Sequence, residues 1–153
     1  MYRKSPSGSP YELTSNAIIA PTPNITNANV VLLDIPLTGP LFSEADIVAV
    51  SGHVITTALA VSPANEGTLT IDALYVKPDG SIVPAGGITG VAACALFLKL
   101  AANNTTTSIF PFGFMCDAQN LGKGGTIRIS ARTNKAGDSL TNPQVFARYD
   151  AWF

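Results

Sequence analysis

An apolar-polar alternation with a period of two recurs along this chain, cut at short intervals by Gly, Pro and Asn. It is clearest in Ile127-Arg128-Ile129-Ser130-Ala131-Arg132, in Thr68-Leu69-Thr70-Ile71-Asp72-Ala73 and in Val145-Phe146-Ala147-Arg148-Tyr149-Asp150-Ala151. Successive side chains on a strand point to opposite faces, so each segment makes one buried face and one wet face. Segments of this kind bury their apolar faces against one another in antiparallel sheets packed as a sandwich or barrel.

Counting along the chain gives about eight strands. A short one is expected near Leu13 to Ile19, followed by Val30 to Ile35 and a long candidate from Ile47 to Val61. A glycine inside a strand marks a bulge or a close backbone approach, so a bend is expected at Ser51-Gly52. Thr68 to Val76 and Ser81 to Val83 flank Lys77-Pro78-Asp79-Gly80. Here proline presets φ and Asp-Gly tolerates positive φ, which predicts a hairpin. Val91 to Ala102 suits a helix by propensity, but Leu96, Leu98 and Leu100 alternate with Phe97 and Lys99 among neighbours that are strands, and it is read as a strand. Ser108 to Cys116, broken by Pro111 and Gly113, reads as an edge or bulged strand. Asp117 to Gly125 is read as a loop, Thr126 to Thr133 as a strand, Asn134 to Pro143 as a long loop, and Gln144 to Phe153 as the last strand. The expected fold is therefore all-β: an antiparallel β-sandwich of about eight strands, jelly-roll-like, in one domain over residues 13–153. Residues 1–12 precede it as an extended N-terminal arm, since Ser5 to Pro10 alternates serine with proline and glycine.

At 153 residues the chain can bury a core without staples. Charged residues make up only 12 % and the net charge is −1, whereas a general polyanion binder needs clustered Lys and Arg. Nucleic acid is therefore not an expected partner. Cys94 and Cys116 sit among apolar residues and are read as buried thiols rather than a bridge. The polar start of the chain does not read as a signal peptide, and no stretch approaches the roughly 20 apolar residues of a membrane span.

Little in the chain looks like catalytic chemistry. His53 is the single histidine, which excludes a multi-histidine metal site, and no Gly-x-Ser-x-Gly pattern supplies a nucleophile for it. It reads as structural. Gly122-Lys123-Gly124-Gly125-Thr126 lacks phosphate-loop spacing and precedes a strand rather than a helix, so it reads as a turn. The acids Glu44, Asp46, Asp72, Asp79, Asp138 and Asp150 are scattered and read as solvated. No cofactor and no metal are expected, and no enzyme. Phe110, Phe112 and Phe114 fall on one strand face and read as core. Trp152 and Phe153 are expected to dock on a neighbour or a sheet edge, because chain ends fray unless tied down.

These readings fit a structural subunit of an assembly. The general form resembles viral jelly rolls over residues 13–153, which implies a virion or phage component (coat, decoration or fibre head) made in a host cytoplasm. Its partners would be copies of itself and other virion proteins, with no membrane. Tyr2, Arg3, Lys4, Trp152 and Phe153 are the candidate interface residues. The alternative is a carbohydrate-binding or lectin-like module, which would expose Tyr11, Tyr75, Phe112 or Trp152 beside Asn and Asp groups in one concave site.

Overall fold

In a computed structural model, residues 2–3, 12–14, 18–61, 67–86, 95–101 and 106–153 are described. Two antiparallel sheets face each other across one core. The first contains β1 (Tyr2–Arg3), β2 (Glu12–Thr14), β3 (Ile18–Pro21), β5 (Ile47–Thr56), β10 (Ser108–Cys116) and β13 (Gln144–Trp152). Its order is β1-β2-β13-β5-β10, with β3 also paired to β13. The second contains β4 (Val30–Pro36), β7 (Gly67–Val76), β8 (Ile82–Pro84), β9 (Ala95–Leu100) and β11 (Thr126–Thr133). Its order is β4-β11-β7-β8, with β9 also paired to β7. The chain alternates between the sheets as it runs, which is the Greek-key route of a jelly roll.

The two sheets thus hold six and five strands, not about eight. The difference lies in how rows are filled. One edge of β13 is covered first by β3 and then by β2, and one edge of β7 by β8 and then by β9. Counting each split row once leaves four rows in the five-stranded sheet and five in the six-stranded one, the fifth being β1 outside β2. Of the expected arm, residues 2–3 and 12 are described, and both belong to the sheet: Tyr2 pairs with Leu13 and Arg3 with Glu12. Residues 4–11 lie outside the described residues.

The long strand expected from Ile47 to Val61 is two. β5 keeps an unbroken register against both neighbours through Ser51 and Gly52, so there is no bend there. The glycine instead permits close backbone approach: a Cβ at Gly52 would overlap the Phe146 carbonyl oxygen and lie 2.9 Å from Ala147 Cα. The break comes at Thr57. The buried Thr56 hydroxyl donates to the Thr141 carbonyl at 2.6 Å and the Thr57 N–H reaches the same oxygen at 3.2 Å. These long-range bonds to Thr141 draw the chain off the ladder and into a separate ribbon. There β6 (Ala58–Ala60) pairs with β12 (Ser139–Thr141), which occupies the segment read as a long loop. Three residues are too short for a period to show, yet Leu140 between them is fully buried. There are also two short helices, α1 (Gly39–Phe42) between β4 and β5, and α2 (Ala118–Leu121) in the segment read as a loop. Asp117 caps α2, its carboxylate accepting from the Asn120 N–H at 3.2 Å.

Other expectations are met. The Lys77-Pro78-Asp79-Gly80 turn joins β7 to β8, Val76 facing Ile82, with Gly80 at φ 88°. Residues 95–100 are a strand, and residues 91–94 lie outside the described residues. β10 is an edge strand whose three phenylalanines are buried. The core is built from Val48, Val50, Val54, Phe110, Phe112, Phe114 and Val145 of one sheet. Ile35, Leu69, Ile71, Tyr75, Ile127 and Ile129 of the other meet them. Cys116 is buried there, and Cys94 lies outside the described residues.

Candidate interaction surface

Residues directly opposite on neighbouring strands share a face, so the register alone maps the outside of the six-stranded sheet. Val54, Phe110 and Val145 form one buried row. The next row therefore points outward, and it reads Pro111, His53, Phe146 and Ile19 across four strands. The row beyond it reads Ile109, Ile55, Gln144 and Pro21. Further along the same face come Arg148 with Ser51, then Met115 with Ala49 and Asp150, then Ile47 with Trp152. Ile19 is 63 % exposed, and Ile109 and Met115 are each 59 % exposed. The His53 and Phe146 rings stack, centroids 5.1 Å apart and 16° from parallel. Around them Ser51, Gly52, Ala147 and Arg148 line an apolar depression of about 320 Å³. The face is thus apolar at the end of the Pro111-to-Ile19 and Ile109-to-Pro21 rows; beyond them Arg148 Nη2 lies 3.8 Å from Asp150 Oδ1, and the row of Ile47 and Trp152 continues to Glu12 and Arg3.

His53 is thus a stacked partner of Phe146 in a cross-strand pair. Among the described residues no group of three or more His, Cys, Asp or Glu side chains gathers, and no helix is long and apolar enough to cross a membrane. Asp72 and Asp34 sit on the opposite, outer face of the five-stranded sheet. Each is paired across strands there, Asp72 with Arg132 at 2.9 Å and Asp34 with Arg128 through two bonds of 2.9 Å. The glycine turn 122–125 closes on Tyr75. The phenol donates to the Gly122 carbonyl and accepts from the Gly125 N–H at 2.8 Å. Burial pushes this phenol above its ordinary value of 10.0, against the lowering effect of the Gly125 bond. Lys123 in the same turn reaches Asp46 at 2.8 Å, and that ion pair raises the lysine.

Of the interface residues expected from sequence, Trp152 is half-buried and pairs with Ile47 and Glu12 inside the sheet. Its carbonyl accepts from the Asp46 N–H at 2.8 Å. Phe153 is half-buried and packs against the core. Tyr2 and Arg3 lie on the outermost strand, and Lys4 lies outside the described residues. Tyr75 and Phe112, named as exposed rings under the lectin alternative, are buried in the core, and Tyr11 lies outside the described residues. Ile19, Ile109 and Met115 went unread, although β10 carried the signal. Between Ile109 and Met115 the residues facing away from the phenylalanines include Ile109, Pro111 and Met115 as well, so the strand is apolar on both faces.

No family model matches the sequence, and no curated protein does. Among solved structures, the chain is similar to one of infectious bursal disease virus, Gx strain, at 15 % identity and a TM-score of 0.50. The likeness is one of fold. The match covers 95 % of this chain and 38 % of that one, so this chain spans well under half the length of its structural neighbour. A structure of the T13 particle of the same virus matches at 15 % identity and a TM-score of 0.46, covering 93 % and 36 %. Empty heads of turnip yellow mosaic virus match at 10 % identity and 0.34, covering 98 % and 85 %.

Proposed function

We propose that this domain is a structural subunit of a virus particle, working through contacts with copies of itself and with other virion proteins rather than through catalysis. The observation that carries this is the outer face of the six-stranded sheet. An antiparallel sheet with one wet face alternates apolar with polar residues, yet here the outward rows hold Ile19, Phe146, Pro111, Ile109 and Met115. Two adjoining rows rich in apolar residues, from Pro111 to Ile19 and from Ile109 to Pro21, on a chain with 12 % charged residues mark an interaction site. The fold supports the reading, since the solved structure it resembles is of a virus.

A second copy is the occupant that the charges on this face favour. Arg148 and Asp150 give it both signs of charge, so two copies meeting through this face set the arginine of each against the aspartate of the other. Trp152 lies on the same face. Tyr2 and Arg3, with Lys4 next in sequence, are proposed as rim contacts. Size-exclusion chromatography with light scattering tests the reading. The chain should elute as an oligomer, and Ile109→Lys or Phe146→Asp should reduce it to one chain with the melting temperature kept. A wild-type chain that stays monomeric at high concentration would overturn it.

A further inference from the structure

The outer face of the five-stranded sheet carries a groove of about 470 Å³, lined by Asn27, Thr68, Thr70, Phe97, Arg132, Thr133 and Asn134. Its floor is one cross-strand row: Arg132 on β11, Thr70 on β7 and Phe97 on β9. Phe97 is 70 % exposed, the most exposed large apolar residue among those described. The ring shares its outward face with Ala95 and Lys99 on its own strand, faces Thr70 across the ladder, and has no part in the core.

The polar walls are held in place. Asn134 accepts from the Thr68 N–H through its side-chain oxygen at 2.7 Å and donates its own N–H to the Thr68 carbonyl at 2.9 Å. Arg132 donates from Nη1 to Asp72 Oδ2 at 2.9 Å, which tethers the guanidinium at one nitrogen beside the groove. Thr26 accepts the Thr133 N–H at 2.8 Å and so ties the segment bearing Asn27 to the floor. The Asn134 amide nitrogen, the Thr68 hydroxyl and the Arg132 fork therefore offer paired donors and acceptors around one aromatic ring.

A sugar ring matches this set. Its C–H face is apolar and packs on an aromatic, while its hydroxyls around the rim need both donors and acceptors. The charge argues for a neutral sugar, because Asp72 already matches Arg132. A phosphate or nucleic-acid ligand would require clustered excess cations, which the lining lacks. A volume of this size falls in the range of small-molecule sites. We infer that this groove is a binding site for a neutral saccharide, with one ring stacked on Phe97 and its hydroxyls bonded by Arg132 and Asn134. The site lies on the sheet opposite the assembly face and does not depend on the assembly reading.

The test uses the full chain on an array of neutral and acidic glycans, followed by calorimetric titration with methyl glucoside, methyl galactoside and methyl mannoside. Binding to neutral glycans is expected. Phe97→Ala should weaken it roughly tenfold, Phe97→Tyr should stay within a few-fold, and Ile82→Ser, exposed beside the opposite end of β7, should leave it unchanged. Arg132→Lys, which keeps the charge but loses the planar fork, should also weaken it. Circular dichroism melting confirms that each variant folds. Retention of neutral glycans by Phe97→Ala, binding confined to acidic glycans, or no glycan bound at all would each overturn the assignment.

Discussion

Tyr75 shows how one hydroxyl can organise a turn. Its ring is buried between the sheets, and its oxygen serves the Gly122 carbonyl and the Gly125 N–H together. Tyr75→Phe strands both backbone groups and should cost about 1–3 kcal/mol in urea unfolding. The alkaline limb of stability should change as well. With the folded phenol raised above 10.0, the unfolded chain ionises first, so stability is intact below that pH and falls as pH rises past it. Burial raises Tyr149 in the same direction, so the phenylalanine variant should lose stability less steeply between pH 9 and 11 while keeping some decline. Gly52 and Gly113 make a second residue-scale contrast. Gly52→Ala forces a Cβ onto the Phe146 backbone of a central strand pair and should cost about 3 kcal/mol or more. At Gly113 the nearest atom to a Cβ is 3.9 Å away, and Gly113→Ala should stay within about 0.5 kcal/mol of wild type. Equal effects at the two glycines would refute the close-approach argument.

At the scale of elements, the β7–β8 hairpin is governed by its turn. Lys77 N–H donates to the Ser81 carbonyl at 2.8 Å, Gly80 N–H to the Lys77 carbonyl at 2.9 Å, and Asp79 accepts from both the N–H and the hydroxyl of Ser81. These bonds hold the Asp79 carboxyl below its usual range. Gly80 has φ 88° and open space around its α-carbon. Gly80→Ala should therefore cost only the left-handed backbone penalty, about 1–2 kcal/mol, measurable as a lower unfolding midpoint with an unchanged denaturant slope. A neutral result would place the turn in another geometry. The short elements obey different rules. β6, β12 and α2 exist because Leu140, Leu59 and Ala118 are buried and because Thr56 and Asp117 satisfy backbone groups at their ends.

For the molecule as a whole, the two outer faces of the sandwich differ: one carries adjoining apolar rows beside Arg148 and Asp150, the other the Arg132–Asp72 and Arg128–Asp34 pairs among exposed residues that include Phe97 and Ile82. The assembly reading makes a charge-reversal prediction. Arg148→Asp and Asp150→Arg should each weaken self-association, and the double variant should restore it, because the reversed charges again meet across copies. Light-scattering mass across these three chains checks it. Failure of the double variant to recover would remove the charged pair from the contact.

The period-two alternation, the Pro-Asp-Gly turn and the phenylalanine row of β10 are local signals, each written within a few consecutive residues. They sufficed for an all-β sandwich, for its best hairpin and for the burial of Phe110, Phe112 and Phe114. Gly52 stood out as a glycine inside a strand, but it was read as a bend, and only the packing of Phe146 against it shows a close approach instead. What only the tertiary structure decided depends on residues far apart in sequence. Thr56 turns the chain because Thr141 lies beside it, and Tyr75 orders a turn centred nearly fifty residues away. Ile19, Phe146, His53 and Pro111 become one apolar row only through the register of four strands. Arg132, Thr70 and Phe97 become a groove in the same way. Alternation says that a strand has two faces; register against its neighbours says what each face adds up to.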